Sequence, residues 1–154
     1  MKKIKIVLLA FVAVLAVSCG KKKDAKINTE PEEAQIEKYI KLKKLNITAK
    51  NNSGLRFILT NPNPSGAALA TNQSVKVNYK GYLLDGKVFD EGSFNFILGI
   101  GQVIQGFDEG IAMLKVGEKG TLIFPSTIGY GAAGSGDIPP NSPLVFEIEV
   151  LVAQ

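Results

Sequence analysis

The sequence predicts an α+β fold: an antiparallel sheet of five to six strands wrapped around one short helix, preceded by an N-terminal amphipathic helix. Two observations predict it. From residue 51 onward, apolar and polar residues alternate with period two in short runs separated by Gly, Pro and Asn clusters. Within that stretch a single segment, Gln105 to Met113, has helical spacing. A stretch of about 100 residues holds one hydrophobic core, and no internal repeat is visible.

The elements follow in chain order. Thr29 to Glu32 has the capping-box spacing, with Pro31 in the first turn, where a missing N–H costs little. Ile36, Tyr39, Ile40 and Leu45 then recur near helical spacing, giving an amphipathic helix over about 31–45. Its apolar stripe is narrow. It can pack on the domain, pair with a second copy or serve as a spacer; packing or spacing is favoured over pairing, because one short helix is marginal without a docking face. Asn51 to Gly54 breaks the chain. Leu55, Phe57 and Leu59 alternate as a strand, and Asn61 to Gly66 is a loop by composition. Val75, Val77 and Tyr79 alternate with Lys76, Asn78 and Lys80, a half-buried strand. Asp85-Gly86 signals a hairpin, with Val88 and Phe89 returning and Phe94, Phe96 and Leu98 alternating again. Phe107, Ile111 and Leu114 form the apolar side of the short helix, and Gly117 ends that segment. Thr121 to Phe124 is a strand, residues 125–143 a long Gly/Pro/Ser loop, and Leu144, Phe146, Ile148 and Val150 a last strand.

Composition removes whole classes of chemistry. With no histidine, neither a Ser-His-Asp nor a Cys-His device can be built, nor a histidine-ligated metal. One cysteine, Cys19, excludes a disulfide framework and a cysteine-built zinc site. No metal or cofactor is expected. The net charge of +4 is unevenly placed: residues 1–18 carry +3, residues 19–50 carry +4 and residues 51–154 carry −3. The domain itself has Arg56 and scattered lysines, without the clustered basic face that nucleic acid requires, so no nucleic-acid partner is expected.

Lys2, Lys3 and Lys5 precede an unbroken apolar run, Ile6 to Val17. That run is shorter than the roughly 20 residues of a membrane span and suits a signal-peptide core. Small residues before Cys19 resemble the bacterial lipobox, although Ala16 stands where leucine is commoner. The resemblance implies lipidation of Cys19 after cleavage, a membrane partner through that lipid, and a place in the bacterial cell envelope. Gly20 is not the aspartate associated with inner-membrane retention, which favours the outer membrane, facing the periplasm. The expected organisation is a lipoprotein signal peptide over 1–18, a lipid-anchored tether with the amphipathic helix over 19–50, and the folded domain over 51–154.

Among candidate sites, Gly99-Ile100-Gly101 fails the dinucleotide pattern and Gly131 to Gly136 lacks the lysine of a phosphate loop, so both read as turns. The adjacent acids Asp90-Glu91 and Asp108-Glu109 do not face one another and make poor acid/base pairs. The aromatic residues Tyr79, Phe89, Phe94, Phe96, Phe107, Tyr130 and Phe146 remain. Plain core packing accounts for isolated rings, but Tyr79 and Tyr130 carry hydroxyls that need partners if buried, and Tyr130 lies in a glycine-rich loop. An apolar aromatic pocket with a few polar groups is a ligand site by default.

Three ordered motifs carry a resemblance. Val77 to Asp90, Val103 to Gly110, and Gly129 to Ala132 followed by Ile138 to Phe146 resemble the hairpin, central helix and closing loop of FKBP-type peptidyl-prolyl cis-trans isomerases. The resemblance spans about residues 53–152. It implies an FKBP-like fold and rotation about Xaa-Pro bonds in exported or periplasmic polypeptides. Tyr79, Phe89, Asp90, Tyr130 and Phe146 would carry catalysis, and Phe94, Phe96, Val103, Ile104, Phe107 and Ile138 would bind the substrate, Ile104 through its backbone N–H. Proline-containing polypeptides are the implied partners, with FK506-like macrolides as weak ligands. Three departures bear on substrate preference. Phe107 replaces the family's tryptophan, leaving a roomier floor. The segment from Asp90 to Phe94 is shorter than in the small human form and lacks its arginine, a partner for Asp90. The loop from Gly134 to Pro139 is also shorter. The alternative reading is a proline-peptide binding or chaperone module with little turnover.

Overall fold

The computed structural model describes residues 30–154. The signal segment 1–18, Cys19, the tether and Thr29 lie outside the described residues. A helix α1 (Glu32–Lys43) leads to a short strand β1 (Ala49–Lys50), then β2 (Arg56–Asn61), β3 (Ser74–Leu83) and β4 (Val88–Ile97). The short helix α2 (Gln105–Ile111) precedes β5 (Lys119–Phe124), and β6 (Leu144–Ala153) closes the chain. The sheet has six strands in the order β1-β2-β5-β6-β3-β4, with every neighbouring pair antiparallel. The predicted α+β class is therefore the observed one. Strand β1 carries no alternation of its own; it forms by pairing Ala49 with Phe57 and Lys50 with Arg56.

The alternation of β3 explains its place. Val75, Val77, Tyr79, Gly81 and Leu83 are buried on one face, and residues two apart on a strand share a face. That face joins Leu122, Phe124, Leu144, Phe146 and Ile148 to Phe107, Ile111 and Leu114 in and just after α2. Helix α2 sits close because two glycines line its inner side. A Cβ on Gly106 would lie 2.6 Å from the Phe124 ring, and one on Gly110 2.4 Å from Leu122.

Helix α1 covers the opposite face. Ile36 is fully buried with Ile123 and Val145, flanked by Tyr39, Ile40, Leu45, Ile58, Tyr82 and Leu84. Among the favoured readings, docking on the domain is what the structure shows. Arg56, 1% exposed on β2, pairs with Glu33 and with Glu37 at 2.7 Å, so α1 is also fastened by charge. Helix α1 begins with Pro31 as its N-cap and without a side-chain cap, and Glu32 is its first helical residue. Thr29, the other half of the expected capping box, lies outside the described residues. The Glu32 carboxylate accepts hydrogen bonds from Ser126, at 2.6 Å from its N–H and 2.7 Å from its hydroxyl. The long loop is less irregular than its composition suggests, holding 3-10 turns at Ser126–Ile128 and Gly131–Ala133.

Candidate functional site

The hairpin of β3 and β4 supplies one wall. It turns at Gly86, whose φ of +90° is the left-handed conformation expected of a turn glycine, and the Leu83 C=O accepts from Gly86 N–H at 2.8 Å. Along β4 the register pairs Phe96 with Val75, Phe94 with Val77, Gly92 with Tyr79 and Asp90 with Gly81. Next, Tyr82 pairs with Val88, so Phe89 is the unpaired residue of a bulge. Strict alternation would aim Phe89 away from Phe94 and Phe96. The bulge re-aims it, and its ring meets Phe146 edge-on at 5.5 Å. Gly81 makes room for this contact: a Cβ there would lie 2.5 Å from the Phe89 ring and 2.7 Å from Phe146. Sequence reasoning assigned Gly81 no role. The available signal was a glycine inside a strongly alternating strand.

Phe107 of α2 is the floor. Fully buried, it meets Phe146 edge-on at 5.1 Å and Tyr79 at 6.1 Å, stacks on Phe94 at 5.9 Å and tilts against Phe96 at 5.9 Å. Phe94 in turn stacks on Phe96 at 5.5 Å and meets Tyr79 edge-on at 5.2 Å. Val103 and Ile104, just before α2, and Ile138 from the closing loop are buried in the same cluster. Paired bonds with Ser135, at 2.8 and 3.0 Å, hold Ile138 in place. Phe89, Phe94 and Tyr130 are half-buried at its border.

Two polar groups serve this apolar surface. The Tyr79 hydroxyl donates to Asp90 Oδ2 at 2.7 Å, so Asp90 has a partner although the family's arginine is missing. Burial, then that hydrogen bond, pushes the Tyr79 phenol far above its ordinary range. Tyr130 is pushed up to about 12, by burial first and by the Asp90 charge second. Its hydroxyl makes no hydrogen bond to any described residue. The Ile104 N–H is likewise unpaired among the described residues, while the Ile104 C=O accepts from Phe107 at 3.0 Å and Asp108 at 3.1 Å. The site thus pairs an aromatic cluster with two donors that have no partner among the described residues, one phenolic and one backbone.

The residues predicted for the site therefore all gather in one cluster, except Cys19, which lies outside the described residues. The other acids serve structure. Asp108 accepts from Gly99 N–H at 2.8 Å, and Glu109 accepts from Asn51, Ser53 and Gln105. Burial would raise the Glu109 carboxyl, but these hydrogen bonds prevail and hold it below its usual range.

The chain is similar to known proteins. The profile of the FKBP-type peptidyl-prolyl cis-trans isomerase family matches residues 66–151. FK506-binding protein 1 of Dictyostelium discoideum is 50% identical over 84 residues, covering 51% of this chain and 78% of that protein. An FK506-binding protein of Neisseria meningitidis serogroup C is 42% identical over 92 residues, covering 56% of this chain and 84% of its own. The crystal structure of FkpA from Escherichia coli superposes with a TM-score of 0.69 at 36% identity, covering 80% of this chain and 59% of that one. The structural likeness thus extends beyond the residues the family profile matches.

Proposed function

Because this chain belongs to the FKBP-type peptidyl-prolyl cis-trans isomerase family, we propose that its aromatic cleft rotates Xaa-Pro bonds of exported or periplasmic polypeptides, held at a membrane by a lipid on Cys19. The barrier to this rotation is about 18–20 kcal/mol of lost amide resonance, and the uncatalysed reaction takes tens to hundreds of seconds. No nucleophile is needed. The half-buried rings of Phe89, Phe94 and Tyr130 receive the proline ring over the buried Phe107, Phe146 and Phe96, and exclude the water that stabilises the planar amide. The Tyr130 hydroxyl donates to the carbonyl as it turns, and the Ile104 N–H holds the peptide on the far side of the proline. Stabilisation greatest for the twisted amide is what accelerates rotation. FK506-like macrolides bind the same surface weakly, because Phe107 replaces the usual tryptophan.

The observation that carries this reading is the pair of donors without a partner among the described residues, Tyr130 Oη and Ile104 N–H, beside a continuous aromatic cluster. Two-dimensional NMR exchange on a short Xaa-Pro peptide tests it, reporting binding and turnover together. Catalysed exchange is expected, falling about tenfold in Tyr130→Phe, the equivalent of one hydrogen bond, and further in Phe89→Ala. Peptide shifts without faster exchange would select the binding-module reading, which the smaller Phe107 favours.

A lipidated Cys19 is supported by the run Ile6 to Val17 and the small residues before the cysteine, and an outer-membrane location facing the periplasm by Gly20, which is not aspartate. Among the described residues no helix is long and apolar enough to cross a membrane.

A further inference from the structure

We propose that Glu32 of α1, outside the family match, is a positioning residue for Tyr130; this deepens the reading above and rests on the role given there to the Tyr130 hydroxyl. Ser126 opens the turn that leads from β5 to Tyr130 and is 2% exposed. Within that turn, Gly129 N–H donates to the Ser126 C=O at 2.8 Å and Ile128 N–H to the Pro125 C=O at 3.3 Å. These bonds close the turn on itself, and contacts with the rest of the domain fasten it. Ile128 is buried in the core, and both Ser126 donors end on the Glu32 carboxylate, at 2.6 and 2.7 Å.

Glu32 can hold the turn because α1 is itself held. Ile36 is fully buried against Ile123 and Val145, and the buried Arg56 guanidinium grips Glu33 and Glu37. Helix α1 is a strut across one face of the sheet, whose first residue reaches the turn four residues before Tyr130. Beyond Tyr130, Gly131 stands at φ +61° and its C=O accepts from Asn141 N–H at 2.9 Å, so the chain is fastened on both sides of Tyr130. The Tyr130 ring packs on the core, and its hydroxyl makes no hydrogen bond to any described residue. The Ser126 side is thus one of the two anchors that set the position of that donor, and Glu32 contributes to it.

The experiment is a double-mutant cycle on the full chain, with kcat and KM taken from NMR exchange below the unfolding transition of every variant. Glu32→Ala is expected to lower kcat about fivefold with KM changed less than about twofold, the pattern of an interaction that matters in the transition state. Glu32→Gln, which can still accept from the Ser126 N–H, should retain most activity. In a Tyr130→Phe background, Glu32→Ala should change kcat by less than about 1.5-fold, since the two residues act through one donor. An equal loss in both backgrounds, or no loss from Glu32→Ala while Tyr130→Phe is impaired, overturns the proposal. If Tyr130→Phe turns over like the wild type, the assigned role of Tyr130 fails, and the link is read from amide hydrogen exchange. About tenfold faster exchange at Gly129 to Gly131 in Glu32→Ala supports the link, and unchanged exchange overturns it.

Discussion

The aromatic cluster depends on a residue that has no side chain. Gly81 lies beneath the bulged Phe89, and its missing Cβ lets the Phe89 and Phe146 rings meet. Gly81→Ala is expected to destabilise the fold by about 1–3 kcal/mol, the cost of overpacking a filled core. It should lower the isomerisation rate as well, by displacing Phe89. Urea unfolding and peptide exchange measure the two effects, and an unperturbed variant would show that the rings tolerate the methyl. The phenols predict the pH response. Tyr130 is raised to about 12 and Tyr79 higher still, so both stay protonated while an unfolded tyrosine ionises near about 10. The rate should therefore be flat between about pH 6 and 9. Stability should be intact below about pH 10 and fall as pH rises toward the folded values, because above that point the unfolded chain sheds protons that the folded chain keeps. Urea midpoints measured across this range check it, with Tyr79→Phe flattening the decline.

At the scale of elements, α1 carries the largest departure from a bare domain. Its buried Ile36 is the anchor, and Ile36→Ala should cost about 2–4 kcal/mol through lost contacts and a residual cavity. Urea unfolding measures that cost, and limited proteolysis near residues 43–48 shows whether α1 then releases. The Arg56 cluster predicts an acid limb. The hydrogen bond from Arg56 and then that from Lys50 hold the Glu33 carboxyl below its usual range, outweighing its modest burial. A lowered carboxylate contributes stability that is present above about pH 4.5 and lost as pH falls through the folded value. Arg56→Met should make stability less sensitive to pH below about 5, as seen in unfolding curves at pH 3 to 7. Glu33 and Glu37 remain half-exposed and can rehydrate, so the loss is smaller than for a fully buried pair.

For the whole molecule, the charges divide the labour. Excess lysine precedes the domain, and residues 51–154 are net acidic. If the lipid on Cys19 holds the chain at a membrane, Cys19→Ala should move it to the soluble fraction, since the anchor supplies the affinity. Its isomerisation rate per molecule should stay unchanged, because the cleft and α1 form one packed body without it. Detergent-phase partitioning and peptide exchange on the same preparation check both halves.

The strands from Leu55 onward and α2 were legible because the direction of a side chain on a strand or helix is a local property, set by period two or by helical spacing. Apolar residues of the three ordered motifs pack into one core cluster, and they were legible for the same reason: each segment carries its own pattern. Strand β1 was not legible, since two residues have no period and exist as a strand only opposite Phe57 and Arg56. Nor was the bulge at Phe89, which is a mismatch of register between β3 and β4 rather than a feature of either. Nor was the contact of Glu32 with Ser126, 94 residues away, which no local pattern expresses. By itself, then, the sequence determined the fold class, the apolar faces and the aromatic members of the core cluster. Only the tertiary structure decided where Phe89 points, what α1 covers and what fastens the turn before Tyr130, because each of these is a relation between segments far apart in the chain, settled by which donors and rings meet when the core closes.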